Sequence, residues 1–256
     1  MYVTLLGDSE PEVRSEAAAK LPLLSQNCSS NLILTKILPG LKLQLATESS
    51  QHVKGSMAHA VCAMASNLSC EEASQHLIPM VSILLKNNST EVIVSLIENM
   101  EGLVKTVGTQ SIEDKIIPSL CSLLGDKTWR VRLATVHFLP KLAKVIGREM
   151  FQAKLESVLV NMLMDNVFTI REAAVESLIK ISKATMQSEW LEQIFIQKVK
   201  EFSKHDRFMI RIHSIHFINK LGAEMPDSQS AQNQPKLLPA AVSKDVVNKH
   251  FAEVLL

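Results

Sequence analysis

A β-branched residue, usually followed by a basic one, returns along this chain at an almost constant interval, and no other feature limits the fold as tightly. The anchors are Val13, Val53, Val92, Val131, Ile170 and Ile210, separated by 40, 39, 39, 39 and 40 residues. In five of the six copies the next residue is basic: Arg14, Lys54, Arg132, Arg171 and Arg211. Six copies at one period describe a repeat protein, in which each unit buries its apolar face against its neighbours.

A period near 40 residues with two helices per period is the signature of HEAT and armadillo arrays. The expected fold is therefore all-α: a HEAT-repeat superhelical solenoid of antiparallel helix pairs. The copies also agree internally. An acid stands six residues before the base at Asp8 and Arg14, Glu48 and Lys54, Asp126 and Arg132, and Asp165 and Arg171, whereas Asn87 and His205 hold the acid position in the other two units. A turn acid can cap backbone donors, and a base one turn into the following helix can reach a neighbouring unit, which predicts a structural ladder that also includes Arg211.

The first helices are expected at Leu32–Ala46, Ala73–Lys86, Ile112–Leu124, Phe151–Met164 and Glu189–Ser203. Pro39, Pro79 and Pro118 share one offset in three of them, so each should disturb its helix in the same way. The second helix after Trp129 shows a buried face of Val131, Ala134, Thr135, Phe138, Leu139, Leu142, Val145 and Ile146. Gly108 and Gly147 are expected to close second helices.

The repeat array covers residues 1–221, with a first unit too short to hold a full first helix. Residues 222–244 are polar and small and read as a flexible insertion. Residues 245–256 resemble the start of another first helix, so the chain reads as a fragment of a longer solenoid.

Composition narrows the function. The net charge of +1 supplies no field for nucleic acid or anionic membrane. Cys28, Cys62, Cys70 and Cys121 are irregularly spaced, which suits thiols in a reducing compartment. With no signal peptide and no apolar run of membrane-spanning length, the expected location is cytoplasmic, also nuclear. No nucleotide-binding, nucleophile-elbow or zinc-protease motif occurs, so no enzyme activity and no cofactor are expected. His213 and His216 lie three apart with His205 nearby, but lack carboxylate or thiolate companions, so no metal site is assigned.

Three of the eleven aromatic residues fall two places before consecutive anchors: Trp129, Phe168 and Phe208. Equivalent turn positions lie on one edge of a solenoid, where large apolar groups mark an interface, unless each ring folds back on its own helices.

The segments Thr128-Trp129-Arg130-Val131-Arg132-Leu133-Ala134, Asp165-Asn166-Val167-Phe168-Thr169-Ile170-Arg171-Glu172-Ala173-Ala174 and Gln51-His52-Val53-Lys54-Gly55-Ser56 resemble the scaffolding A subunits of type-2A serine/threonine protein phosphatases, roughly their eighth to thirteenth HEAT repeats. The resemblance implies a non-catalytic scaffold whose inner-turn ridge positions the phosphatase catalytic subunit through Trp129, Arg130, Phe168 and Phe208. It places the docking repeats of regulatory B-type subunits mostly outside this sequence. The alternative is a HEAT adaptor of another class, such as an importin-like transport receptor. An acidic inner helix face would favour that reading, and the second helices show no acidic run.

Overall fold

The computed structural model describes residues 2–185 and 188–224, and among these it is helical throughout with no strand. It divides into two compact units, Met1–Val145 and Ile146–Leu256. In the first, α1 (Tyr2–Leu5) and α2 (Pro11–Ser25) precede a helix built in three pieces: α3 (Ser30–Leu32), a π turn (Ile33–Ile37) and α4 (Leu38–Thr47). Next in the chain are α5 (Gln51–Ala63), α6 (Cys70–Leu85), α7 (Thr90–Thr106), and a second three-piece helix: α8 (Thr109–Ser111), a π turn (Ile112–Ile116) and α9 (Ile117–Leu124). The helix α10 (Trp129–Lys154) passes from the first unit into the second, which continues with α11 (Glu156–Asn161), α12 (Phe168–Thr185), α13 (Ser188–Ser203) and α14 (Phe208–Glu224). This is an all-α HEAT-repeat solenoid fold, and the pairing of helices follows the sequence period.

The anchors explain the period. Val53, Val92, Val131, Ile170 and Ile210 are almost wholly buried, whereas Val13 is exposed behind an α1 of only four residues. Small side chains let the second helices of the first unit approach closely: Ser15 Oγ lies 2.9 Å from Ser56 Oγ, and Ser95 Oγ donates to Gly55 O at 3.0 Å. Inside α10, Val131, Thr135, Phe138, Leu139, Leu142 and Ile146 of the expected face are buried, Ala134 and Val145 are only half-buried, and Val136 and Ala143 are buried as well.

The prolines do not all act alike. A π turn ends two residues before Pro39 and Pro118, where a proline ring would crowd the carbonyl four residues earlier and the backbone relaxes into the wider turn. Pro79 stands inside an uninterrupted α6, whose start is held by a Ser69–Glu72 capping box. There Ser69 N donates to Glu72 Oε2 at 2.8 Å, which keeps the Glu72 carboxyl below its usual range.

The glycines also differ. Gly147 adopts φ 78° and ψ 174°, breaking the helical run of α10. Gly108 has an ordinary φ of −65°, and a Cβ there would lie 3.3 Å from Cys70 Sγ, close enough that the thiol would have to shift by a few tenths of an ångström. The expected first helix Phe151–Met164 is interrupted at Leu155, whose φ of −124° separates α10 from α11. Residues 225–256, which hold most of the expected insertion and all of the expected last helix, lie outside the described residues.

Candidate partner-binding turns

Each turn before a second helix is capped in the same way, by the residue six before the basic position. Asp8 Oδ1 accepts from Glu10 N at 2.9 Å, Asp126 Oδ1 from Thr128 N at 2.7 Å and Asp165 Oδ1 from Val167 N at 2.8 Å. Glu48 Oε1 accepts from both Ser49 N and Ser50 N at 2.9 Å. Where the acid is absent the cap persists: Asn87 Oδ1 accepts from Ser89 N at 2.7 Å, and His205 Nδ1 accepts from Arg207 N at 3.0 Å. The geometry assigns the His205 proton to Nε2, since Nδ1 must be the acceptor. What the position needs is a short-range acceptor, and charge is optional.

The base closes the turn from the other side. Arg14 Nη1 donates to Asp8 O at 2.8 Å and Ser9 O at 3.0 Å, and Arg132 Nη1 to Asp126 O at 2.7 Å and Lys127 O at 3.2 Å. Arg171 Nη1 reaches Asp165 O at 2.7 Å and Asn166 O at 3.2 Å, and Arg211 Nη1 reaches His205 O at 2.7 Å and Asp206 O at 2.9 Å. For Lys54 the hydrogen bond found is that of its backbone amide to Ser50 O. A lysine ammonium lacks the planar fork that reaches two adjacent carbonyls.

Between the first two turns a rung is fully formed. Arg14 Nε and Nη2 grip Glu48 Oε2 and Oε1 at 2.7 and 2.9 Å. The pair is nearly buried, and the hydrogen bond from Arg14 holds the Glu48 carboxyl down to about 2. Arg171 stands in the matching place opposite His205, which has no negative charge to offer. Arg171 is accordingly buried with its Nε unpartnered, and burial lowers its pKa. Beside it His213 is buried with neither ring nitrogen in a hydrogen bond and Nδ1 3.9 Å from Glu172 Oε1, and desolvation, with Arg171 and His216 adding to it, pushes it down to about 4.

The aromatic residues sit on these braced turns as the first residues of α10, α12 and α14. Trp129 is 39% exposed, with the Arg130 guanidinium 5.1 Å from its ring centroid. Phe168 is 47% exposed, lying 5.5 Å from the Arg171 guanidinium and meeting His216 edge-on at 6.0 Å. Phe208 is 60% exposed. The same position holds Pro11, Gln51 and Thr90 in the earlier turns. Arg207 Nη2 donates to Asn166 Oδ1 at 2.7 Å, joining the Phe168 and Phe208 turns of the second unit. The three histidines go separate ways: His205 caps a turn, His213 packs on Phe202 and His216 on Phe168.

The exposed apolar residues of α14, Met209, Ile212 and Ile215, were not evident from the sequence. Their signal lies in the spacing but is hidden because the same residue types are buried in earlier units.

Comparisons with known proteins agree with this architecture. The human 65 kDa regulatory subunit of serine/threonine-protein phosphatase 2A, in its beta isoform, is 32% identical over 104 residues, which cover 39% of this chain and 17% of that relative. Among solved structures, one described as "Structural Basis of Microtubule Plus End Tracking by XMAP215, CLIP-170 and EB1" superposes with a TM-score of 0.56 at 15% identity, over 86% of this chain and 89% of that one. The designed armadillo repeat protein YIII(Dq)4CqI gives 0.51 at 20% identity, over 86% and 98%. These likenesses carry the repeat fold. The sequence profile described as "PIK3R4-like, middle domain" matches residues 2–256, all but the first residue, and the chain belongs to that family.

Proposed function

We propose that this chain is a non-catalytic repeat scaffold that holds the catalytic subunit of a type-2A serine/threonine protein phosphatase, with Trp129, Arg130, Phe168 and Phe208 as its contact residues. The observation that carries the reading is the exposure of three large aromatics at one turn position, on turns braced from both sides by side-chain hydrogen bonds. A rigid turn presenting a half-exposed ring loses little conformational entropy on binding, which is what an anchor residue requires. The partial likeness to a phosphatase regulatory subunit supports the choice of partner. Glu48, Cys62 and His213, whose pKa values are moved far from the ordinary, are buried in packing contacts, so their shifts serve structure and not chemistry.

The importin-like alternative wants an acidic inner surface for basic cargo. The groove along α5 and α7 is lined by Ala19, His52, Gly55, Ser56, His59, Ser95 and Asn99 with a single acid, Glu91. The test is a titration of immobilised chain with purified catalytic subunit. Binding with a Kd at or below about 1 μM, equivalent to roughly 8 kcal/mol, is expected, with a regulatory B-type subunit offered alone binding at least tenfold more weakly. A catalytic subunit that fails to bind at about 10 μM overturns the assignment.

A further inference from the structure

Arg14, Arg132, Arg171 and Arg211 each close a turn by donating to the two carbonyls five and six residues before them. In the turn before α7 that position is Ile93, which is buried and has no donor to offer. The matching carbonyls are Asn87 O and Asn88 O, and among the described residues neither accepts a hydrogen bond. Facing them is Asp126, the acid of the turn before α10. Its Oδ1 caps Thr128 N, and among the described residues no ion pair includes its carboxylate. A cleft of about 410 Å³ lies between these two turns, with Asn87, Asn88, Ile93, Ser122, Asp126 and Thr128 on its walls. Lys127 also borders it but is exposed, and no described contact joins it to Asp126. In the first two turns the equivalent acceptors are all taken by one side chain: Arg14 holds Asp8 O and Ser9 O while gripping the Glu48 carboxylate.

We infer that this cleft receives an arginine side chain from a protein partner, whose guanidinium donates to Asn87 O, Asn88 O and the Asp126 carboxylate. Two carbonyls and a carboxylate are acceptors only, so the group that satisfies them must be rich in donors and positively charged. A planar guanidinium supplies such a fork, whereas an ammonium is a point charge on a flexible stem. The turn of Lys54 shows the difference within this chain, since no described contact takes that ammonium to the carbonyls of Glu48 and Ser49. The acceptor set reproduces an internal side-chain site, which fits an arginine within a polypeptide. Trp129 and Arg130, proposed above as contacts, do not line the cleft, and the inference stands whether or not the partner is a phosphatase.

The experiment titrates the 15N-labelled full chain with N-acetyl-arginine-N-methylamide and follows the amide resonances of Asn88, Ser89 and Thr128 by NMR. Saturable shifts with a Kd at or below about 10 mM are expected, and the corresponding lysine compound should bind at least about fivefold more weakly. Asp126→Asn keeps the cap, as Asn87 does in its own turn, and should weaken the arginine compound at least about tenfold. Ile93→Arg, which supplies the guanidinium from within the chain as four other turns do, should abolish the shifts. No saturation by about 50 mM, equal binding of the lysine compound, or indifference to Asp126→Asn overturns the inference. Tighter binding of free arginine than of the blocked compound also overturns it, by making the cleft a site for the amino acid. The catalytic subunit takes no part in this titration, so its failure and the failure of the phosphatase reading are separate results.

Discussion

Glu48→Gln removes the charge from the rung between the Arg14 and Glu48 turns while keeping the shape of the side chain. In the folded chain the carboxylate accepts two hydrogen bonds from Arg14, at 2.7 and 2.9 Å, and two from the backbone of Ser49 and Ser50, and its side chain is 1% exposed. Its pKa falls from 4.5 to about 2. A displacement of that size corresponds to about 3 kcal/mol of stability. The glutamine carbonyl can still accept from the Ser49 and Ser50 amides, so the turn cap survives and the loss falls on the pairing with Arg14. At pH 7 the variant should be less stable by about 2 to 3 kcal/mol, in line with the cost of unpairing one member of a buried ion pair. The folded pKa is depressed, so the contribution is complete above about 4.5 and disappears as pH falls towards about 2. Urea unfolding followed by circular dichroism at pH 7 and pH 3 measures both effects. A variant within about 0.5 kcal/mol of the parent at pH 7, or a difference that does not shrink in acid, refutes the reasoning.

Other consequences come from the same geometry. His213 is held neutral, with a folded pKa of about 4 against 6.5, so the unfolded chain binds the extra proton and stability should fall between pH 6.5 and 4; His213→Leu should flatten that slope and leave the melting temperature at pH 7 unchanged or higher, since neither ring nitrogen has a hydrogen bond to lose. His205→Ala should cost about 1 kcal/mol in urea unfolding by removing the cap on Arg207 N, and His205→Asn should restore most of it. Gly147→Ala meets nothing within 4 Å, so its whole cost, about 1 to 3 kcal/mol by the same assay, comes from placing a side chain at φ 78° and ψ 174°.

The repeat was legible because its two requirements are local: a buried anchor, and a turn closed by an acceptor and a base. The sequence showed Asp126 and Arg132 as a pair, yet it did not show that Asn87 and His205 do the same capping work, since the shared property is an acceptor atom and not a charge. Gly108 and Gly147 look alike in sequence, but one has ordinary backbone angles in a tight space beside Cys70 and the other is required by backbone conformation. Pro39, Pro79 and Pro118 share an offset, but only two are preceded by a π turn, because tertiary packing decides how a helix absorbs a missing hydrogen bond. The exposure of Ile212 and Ile215 was invisible for a similar reason. An apolar residue at a core position reads as core whether or not a neighbour covers it.

The central claim is that the rings at the turn position serve a partner and not the fold, and Trp129→Ala and Phe208→Ala test it most directly. The exposed 39% of Trp129 and 60% of Phe208 correspond to about 100 and 120 Å² that a partner can still cover, worth roughly 2.5 to 3 kcal/mol each. Thermal unfolding and affinity for the phosphatase catalytic subunit are measured on the same preparations. The account predicts that each substitution weakens binding by at least about thirtyfold while the melting temperature moves by less than about 2 °C. Unchanged affinity with a lowered melting temperature would show that the rings support their own helices and would contradict it.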